Sequence, residues 1–192
     1  MRRLLALATV LVALAFSAQT SFAVSATFFA TLGDFENPPT GSPGTGTATV
    51  TFDTTAHTLR VQVSFGGLIG TTTAAHIHCC VAAPGNAGVA TQTPSFTGFP
   101  LGVTSGTMDT TFDTTLASSF NPAFITANGG TVAGAEARLL QGLLDGRAYL
   151  NIHTTRNPGG EIRGFLKVPE PASLSLLLTG LFGLGFVAKR RR

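Results

Sequence analysis

The chain has 192 residues, 11 % of them charged, and a mean hydropathy of +0.34, enough for one domain with its own core plus flanking segments. Its formal charge of +3 belongs to the ends, since Arg2, Arg3, Lys189, Arg190, Arg191 and Arg192 are six of the twelve basic residues. Between Val24 and Val168, six basic residues face eight acidic ones, so the middle is near −2 and nucleic-acid binding is excluded as a reading.

The first segment, residues 1–23, reads as a secretory signal helix. Met1-Arg2-Arg3 gives the positive start and Leu4 to Phe16 an apolar stretch short for a membrane span. Ser21-Phe22-Ala23 places small residues where a signal peptidase cuts. Beyond it the pattern has period two. Leu59-Arg60-Val61-Gln62-Val63-Ser64-Phe65 alternates apolar and polar without a break, the mark of a strand with one buried face. Ala48 to Phe52 alternates likewise, and the polar stretch Asp53 to Thr58 between them closes a hairpin that also carries His57. Further strands are expected near Thr27–Leu32, Thr73–His78, Gly88–Gln92, Gly106–Phe112, Arg147–His153 and Glu161–Lys167. Threonine fills many of their solvent-side positions. Such short strands with Gly/Pro-rich turns predict a mainly β fold, an antiparallel sandwich or Greek-key barrel. Asp113 to Gly146 departs from this: its second half has alanines and leucines at helical spacing and ends near Asp145-Gly146. It predicts a small helical insertion on one edge or end of the sandwich.

Three of the four histidines lie in two motifs, Ala75-His76-Ile77-His78 and Tyr149-Leu150-Asn151-Ile152-His153-Thr154. Alternate residues of a strand share a face, so His76 and His78 project together, as do Asn151 and His153, with Ile77 and Ile152 opposite. If the two strands are neighbours, His76, His78 and His153 make a three-imidazole set suited to zinc or copper. The competing reading is a structural seam, in which the imidazoles hydrogen-bond to Asn151, Glu161 and backbone groups. Glu161 and Arg163, two residues apart, are expected to join an ion network with His153 or Arg156. Cys79 and Cys80 follow the first motif directly. In an oxidising compartment they admit three readings: a vicinal disulfide in the turn, an intermolecular bridge, or further ligands to a histidine-bound copper. No nucleophile elbow, phosphate loop or dinucleotide fingerprint is present, and no second carboxylate is placed by spacing for acid/base work.

The C-terminus has three parts: Val168-Pro169-Glu170-Pro171, an apolar run from Leu174 to Ala188, and Lys189-Arg190-Arg191-Arg192. The run reaches only about 22 Å as a helix against a hydrocarbon core of about 30 Å. Ala172, Ser173 and a snorkelling Lys189 extend it to a transmembrane helix with the basic end inside. This order resembles the PEP-CTERM sorting signal of Gram-negative bacteria, with Pro169, Glu170 and Pro171 as the sorting motif. The resemblance implies an exosortase-type processing enzyme as partner, removal of the tail, and export to the cell surface or extracellular polymer.

The stretch between the two signals resembles the CHRD domain, the module named for chordin and found in many bacterial secreted proteins. The residues that carry this are Glu36-Asn37-Pro38-Pro39, Gly46, His76-Ile77-His78, and Asn151-Ile152-His153-Thr154 with Gly160-Glu161-Ile162-Arg163-Gly164, in that order over residues 26–167. The resemblance implies a fold and a location more than an activity. The comparison of such domains with copper/zinc superoxide dismutase is one of fold, and the further histidines with an aspartate of a bridged two-metal site are missing here. The expected organisation is a signal peptide over 1–23, a CHRD domain over 26–167, and a sorting signal and anchor over 168–192. The expected role is a non-enzymatic surface or matrix module that meets exopolysaccharide, another surface protein or itself. Its rival is a periplasmic or surface protein that binds copper or zinc, a redox role included.

Overall fold

A computed structural model describes residues 25–169. Seven strands run in the order β1 (Ser25–Leu32), β2 (Thr45–Asp53), β3 (Thr58–Gly66), β4 (Thr72–Cys79), β5 (Gly106–Asp113), β6 (Ala148–Thr154) and β7 (Ile162–Phe165). Two helices, α1 (Pro122–Ala127) and α2 (Val132–Leu144), interrupt the sequence between β5 and β6. The strands form two antiparallel sheets, β1-β2-β3-β5 and β4-β6-β7. Alternation dictates what meets between them. Val50 and Phe52 of β2, Leu59, Val61 and Val63 of β3, Ile77 of β4, and Leu150 and Ile152 of β6 are all buried in one core.

The barrel alternative is corrected by the edges. The edges of β1 and β7 meet through two isolated bridges, Phe29 of β1 with Lys167 just past β7, and Gly33 just past β1 with Arg163 of β7, whose backbone bonds measure 2.8–3.1 Å. They come this close because residue 164 is glycine: a side chain there would strike the Thr31 carbonyl. No ladder joins β4 to β5 among the described residues, so the sheets remain an open sandwich. A second correction concerns Gly88–Gln92, which forms no strand. The segment follows β4 through Ala90 N–H to the Ile77 carbonyl (2.9 Å), but the Thr91 hydroxyl, not a backbone carbonyl, accepts from Ile77 N–H (2.9 Å). Pro84 and Pro94 on either side withhold two further donors. Single bridges at Val89 and Thr91 are all that remains.

The helical insertion is present where the alanine and leucine spacing put it. Asn121 caps α1 ahead of a proline at its first position, and the Thr131 hydroxyl caps α2 by accepting from Gly134 N–H at 3.1 Å. Ala135, Leu139 and Leu143 form its buried face. Gly142 lies against the sulfurs of Cys79 and Cys80 at the end of β4, which docks α2 onto one end of the sandwich. There His57, in the β2–β3 turn, bonds Glu136 of α2 through Nδ1 at 2.9 Å. No described helix is long and apolar enough to cross a membrane. The signal helix and the transmembrane helix expected from the sequence lie outside the described residues.

Candidate metal centre

The three-stranded sheet is buried on both faces: every residue of β6 is shielded from solvent. Its inner face meets the core. Its outer face is polar and is covered by irregular segments before β2, after β4 and between β6 and β7. The register sets His76 opposite Asn151 and His78 opposite Tyr149 across β4 and β6, with Asn151 opposite Arg163 across β6 and β7. His153 reaches the same row from the far end of β6. The ring centroids of His76 and His153 are 5.1 Å apart and those of His78 and His153 5.5 Å. Tyr149 stacks on His78 at 5.0 Å.

Each imidazole is oriented by a backbone carbonyl. His76 meets Pro94 O through Nε2 (2.7 Å), His78 meets Ala87 O through Nδ1 (2.8 Å), and His153 meets Pro158 O through Nδ1 (2.9 Å). A carbonyl only accepts, so each of those ring nitrogens carries the proton and donates it. Burial lowers all three imidazoles below their ordinary pKa; for His76 and His78 the neighbouring imidazoles add to this, and His78 is held down to about 4. Near neutral pH all three are therefore uncharged, with their lone pairs on His76 Nδ1, His78 Nε2 and His153 Nε2. The two Nε2 atoms face each other at 3.3 Å, and His76 Nδ1 is buried without a partner.

This is the protonation state and outer shell that a metal requires of histidine. Two nitrogens bound to one tetrahedral ion at about 2.05 Å each lie about 3.3 Å apart. The His78–His153 pair already has that spacing, and the three ligand atoms lie within 4.8 Å of one another. Without a cation or a shared proton, two lone pairs at this distance repel. Among the described residues, this is the one cluster of three or more metal-ligating side chains.

The cysteines do not join it. Cys79 and Cys80 are bonded to each other. Cys79 is packed into the core on the opposite face, and Cys80 Sγ lies against the Arg138 carbonyl at 3.8 Å. Glu161 and Arg163 do not form the ion network expected with His153 or Arg156. The Glu161 carboxylate is fully buried and accepts from Ser42 Oγ (2.7 Å), Ile69 N–H (2.6 Å), Gly70 N–H (3.0 Å) and Thr154 Oγ1 (2.6 Å). Burial alone would raise its pKa, but these four donors outweigh it and hold the carboxyl below its ordinary value. Arg163, also fully buried, donates to the carbonyls of Phe35 (2.6 Å) and Pro84 (2.8 Å) and to Asn86 Oδ1 (2.7 Å). Its guanidinium lies 4.8 Å over the Tyr149 ring and 3.6 Å from Glu36. The two residues are clamps: Glu161 ties the segments around residues 42 and 70 to β6, and Arg163 ties down the covering segments that include Phe35 and Pro84.

Sequence reasoning placed His76 with His78, and Asn151 with His153, on shared strand faces but missed Glu36 as Arg163's neighbour. Glu36 was visible only as part of a Glu-Asn-Pro-Pro motif. It missed the three orienting carbonyls, which no side-chain pattern encodes, and the pairing of His57 with Glu136. Of the sorting motif, Pro169 is the last described residue, and Glu170 and Pro171 lie outside.

The CHRD domain family matches residues 28–166, and the PEP-CTERM protein-sorting motif matches residues 167–192. No curated protein and no solved structure matches the chain. The chain belongs to the CHRD domain family and carries a PEP-CTERM motif, the mark of an exported protein sorted through an exosortase-type enzyme.

Proposed function

We propose that this exported CHRD-domain protein is a surface or matrix module that holds one zinc or copper ion on His76, His78 and His153. One observation carries the reading. Three neutral imidazoles, each fixed through its N–H by a backbone carbonyl, turn their free nitrogens toward each other in a buried site, two of them 3.3 Å apart. Three nitrogens and no thiolate suit Zn²⁺ or copper, with a fourth position left for water or another ligand. The ion would join β4 to β6, so binding is also a structural contribution. The sandwich would then be displayed by the export route, with the signal segment removed and residues 168–192 serving as a temporary membrane anchor. No catalytic step is assigned to it.

The test is elemental analysis of the purified chain, with thermal melting in EDTA and with added zinc or copper. The reading expects stoichiometric metal, lost in His76→Ala, His78→Ala and His153→Ala. It also expects a stabilisation of about 3 kcal/mol when free metal is a hundredfold above Kd. No bound metal and no metal-dependent shift in melting would leave a structural seam. In that case each alanine variant only loses stability, by about 1–3 kcal/mol for the partner left alone.

A further inference from the structure

Seven large apolar side chains are exposed among the described residues, and four of them, Phe29, Phe35, Leu144 and Val168, line two hollows that share Lys167. The larger hollow, of about 420 Å³, is a groove along the edge where β1 meets β7, walled by Phe29, Phe35, Pro84, Phe165 and Lys167. Phe29 is 47 % exposed and Phe35 56 %. Ala30 and Gly164 line the groove as well but put little or no side chain into it. The second hollow lies between Leu144, at the end of α2, and Val168, just past β7. Apolar side chains exposed singly are ordinary, but a cluster of them around one point marks a surface that something else covers.

Position selects what covers it. Phe29 N–H donates to the Lys167 carbonyl (2.8 Å) and Lys167 N–H to the Phe29 carbonyl (3.0 Å), so the groove is fixed to the point where the C-terminal segment departs. The apolar stretch of that segment begins at Ala172, five residues past Lys167, a distance that extended chain spans in at most about 17 Å. A membrane that takes up this stretch is therefore within reach of the groove. Charge agrees with that partner. Lys167 enters no ion pair among the described residues, and no carboxylate lines the groove. Asp145, in the second hollow, already accepts from Gln141 Nε2 at 2.8 Å. Aromatic rings settle at the boundary of headgroups and acyl chains, and a lysine beside them extends its ammonium to the phosphates. We infer that, while the chain is anchored, this edge docks on the lipid surface of the same membrane, with Phe29 and Phe35 at that boundary and Lys167 among the phosphates. The inference rests on the reading of residues 168–192 as a membrane anchor and does not involve the histidines. Docking would hold the start of the sorting motif, two residues past Lys167, close to the membrane surface.

The chain has no tryptophan, so Phe35→Trp supplies a single indole for the test. The full chain carrying it is reconstituted into vesicles of phosphatidylglycerol and phosphatidylcholine, with or without bromine on the acyl chains, and recovered by flotation. Leu101→Trp is the control, since Leu101 is 55 % exposed beside the Thr72 end of β4, away from the Cys79 end where β7 leads out to Lys167. Brominated lipid should remove most of the emission of Phe35→Trp and leave that of Leu101→Trp unchanged. Adding Phe29→Ser or Lys167→Gln, both at exposed positions, should restore part of the lost emission without altering flotation. Flotation with equal emission from the two indoles would overturn the docking and leave the anchor standing. A blue-shifted Phe35→Trp indole that bromine does not quench would also overturn it, by placing a second copy or the chain's own tail in the groove. Quenching that neither added variant reduces would overturn the assigned contacts. Failure to float would overturn the anchor, and the docking with it.

Discussion

Replacing Glu36 with glutamine keeps the side chain's shape and removes its titration. Burial pushes this carboxyl up from 4.5 to about 7, against the pull of the nearby Arg163 guanidinium. A raised carboxyl binds its proton more tightly in the folded chain than in the unfolded one. The stability it contributes is therefore fully present below 4.5 and is lost as pH rises through about 7. The gap between 4.5 and about 7, at about 1.36 kcal/mol per pH unit, amounts to about 3 kcal/mol. Glutamine has no such proton to lose, and every other titration is common to both proteins. The stability of Glu36→Gln relative to wild type should thus shift by about 3 kcal/mol in the variant's favour between pH 4 and pH 8. Urea unfolding in EDTA measures this at several pH values, followed by circular dichroism because the chain has no tryptophan. A difference that stays constant with pH, or one that moves toward the wild type at pH 8, would refute a buried and desolvated Glu36.

The histidines carry the opposite sign. In the metal-free chain, His78 is held from 6.5 down to about 4, so acidification through that window should cost about 3 kcal/mol, an arm that His78→Asn lacks in the same urea series. Alanine normally stabilises a helix by about 1 kcal/mol over glycine. Gly142→Ala should nonetheless lower the melting temperature, because its methyl would collide with the Cys79 and Cys80 sulfurs; a higher one would mean that α2 does not dock there. Alanines at Pro169, Glu170 and Pro171 should leave the C-terminal tail on the chain, measured by the mass of the exported protein, and normal processing would detach these residues from sorting.

What the sequence disclosed, and what it hid, follow from how each part is encoded. β3 was legible because Leu59, Val61, Val63 and Phe65 face the core while Arg60 and Ser64 face water, and period two writes that difference directly. β6 alternates just as cleanly, which shows that Asn151 and His153 share a face, but period two does not say that this face, like the other, is buried in the fold. The cover itself is irregular chain, held by carbonyls of Phe35, Pro84, Ala87, Pro94 and Pro158 that any residue type could supply. Periodicity has nothing to register there. For the same reason Arg163 is given the wrong partners by its sequence. Yet the choice of residues on that face has a physical meaning beyond folding. A sheet face that served stability alone would do as well or better with apolar side chains, since burying imidazoles, a guanidinium and a carboxyl each incurs desolvation. Glu161 and Arg163 offset that cost with complete sets of partners. His76 on that face and Glu36 in the segment that covers it do not: each keeps a buried atom unpaired. Where one polar layer contains both saturated clamps and unsaturated groups, the clamps account for the fold, and the unsaturated groups mark where something other than the chain completes it.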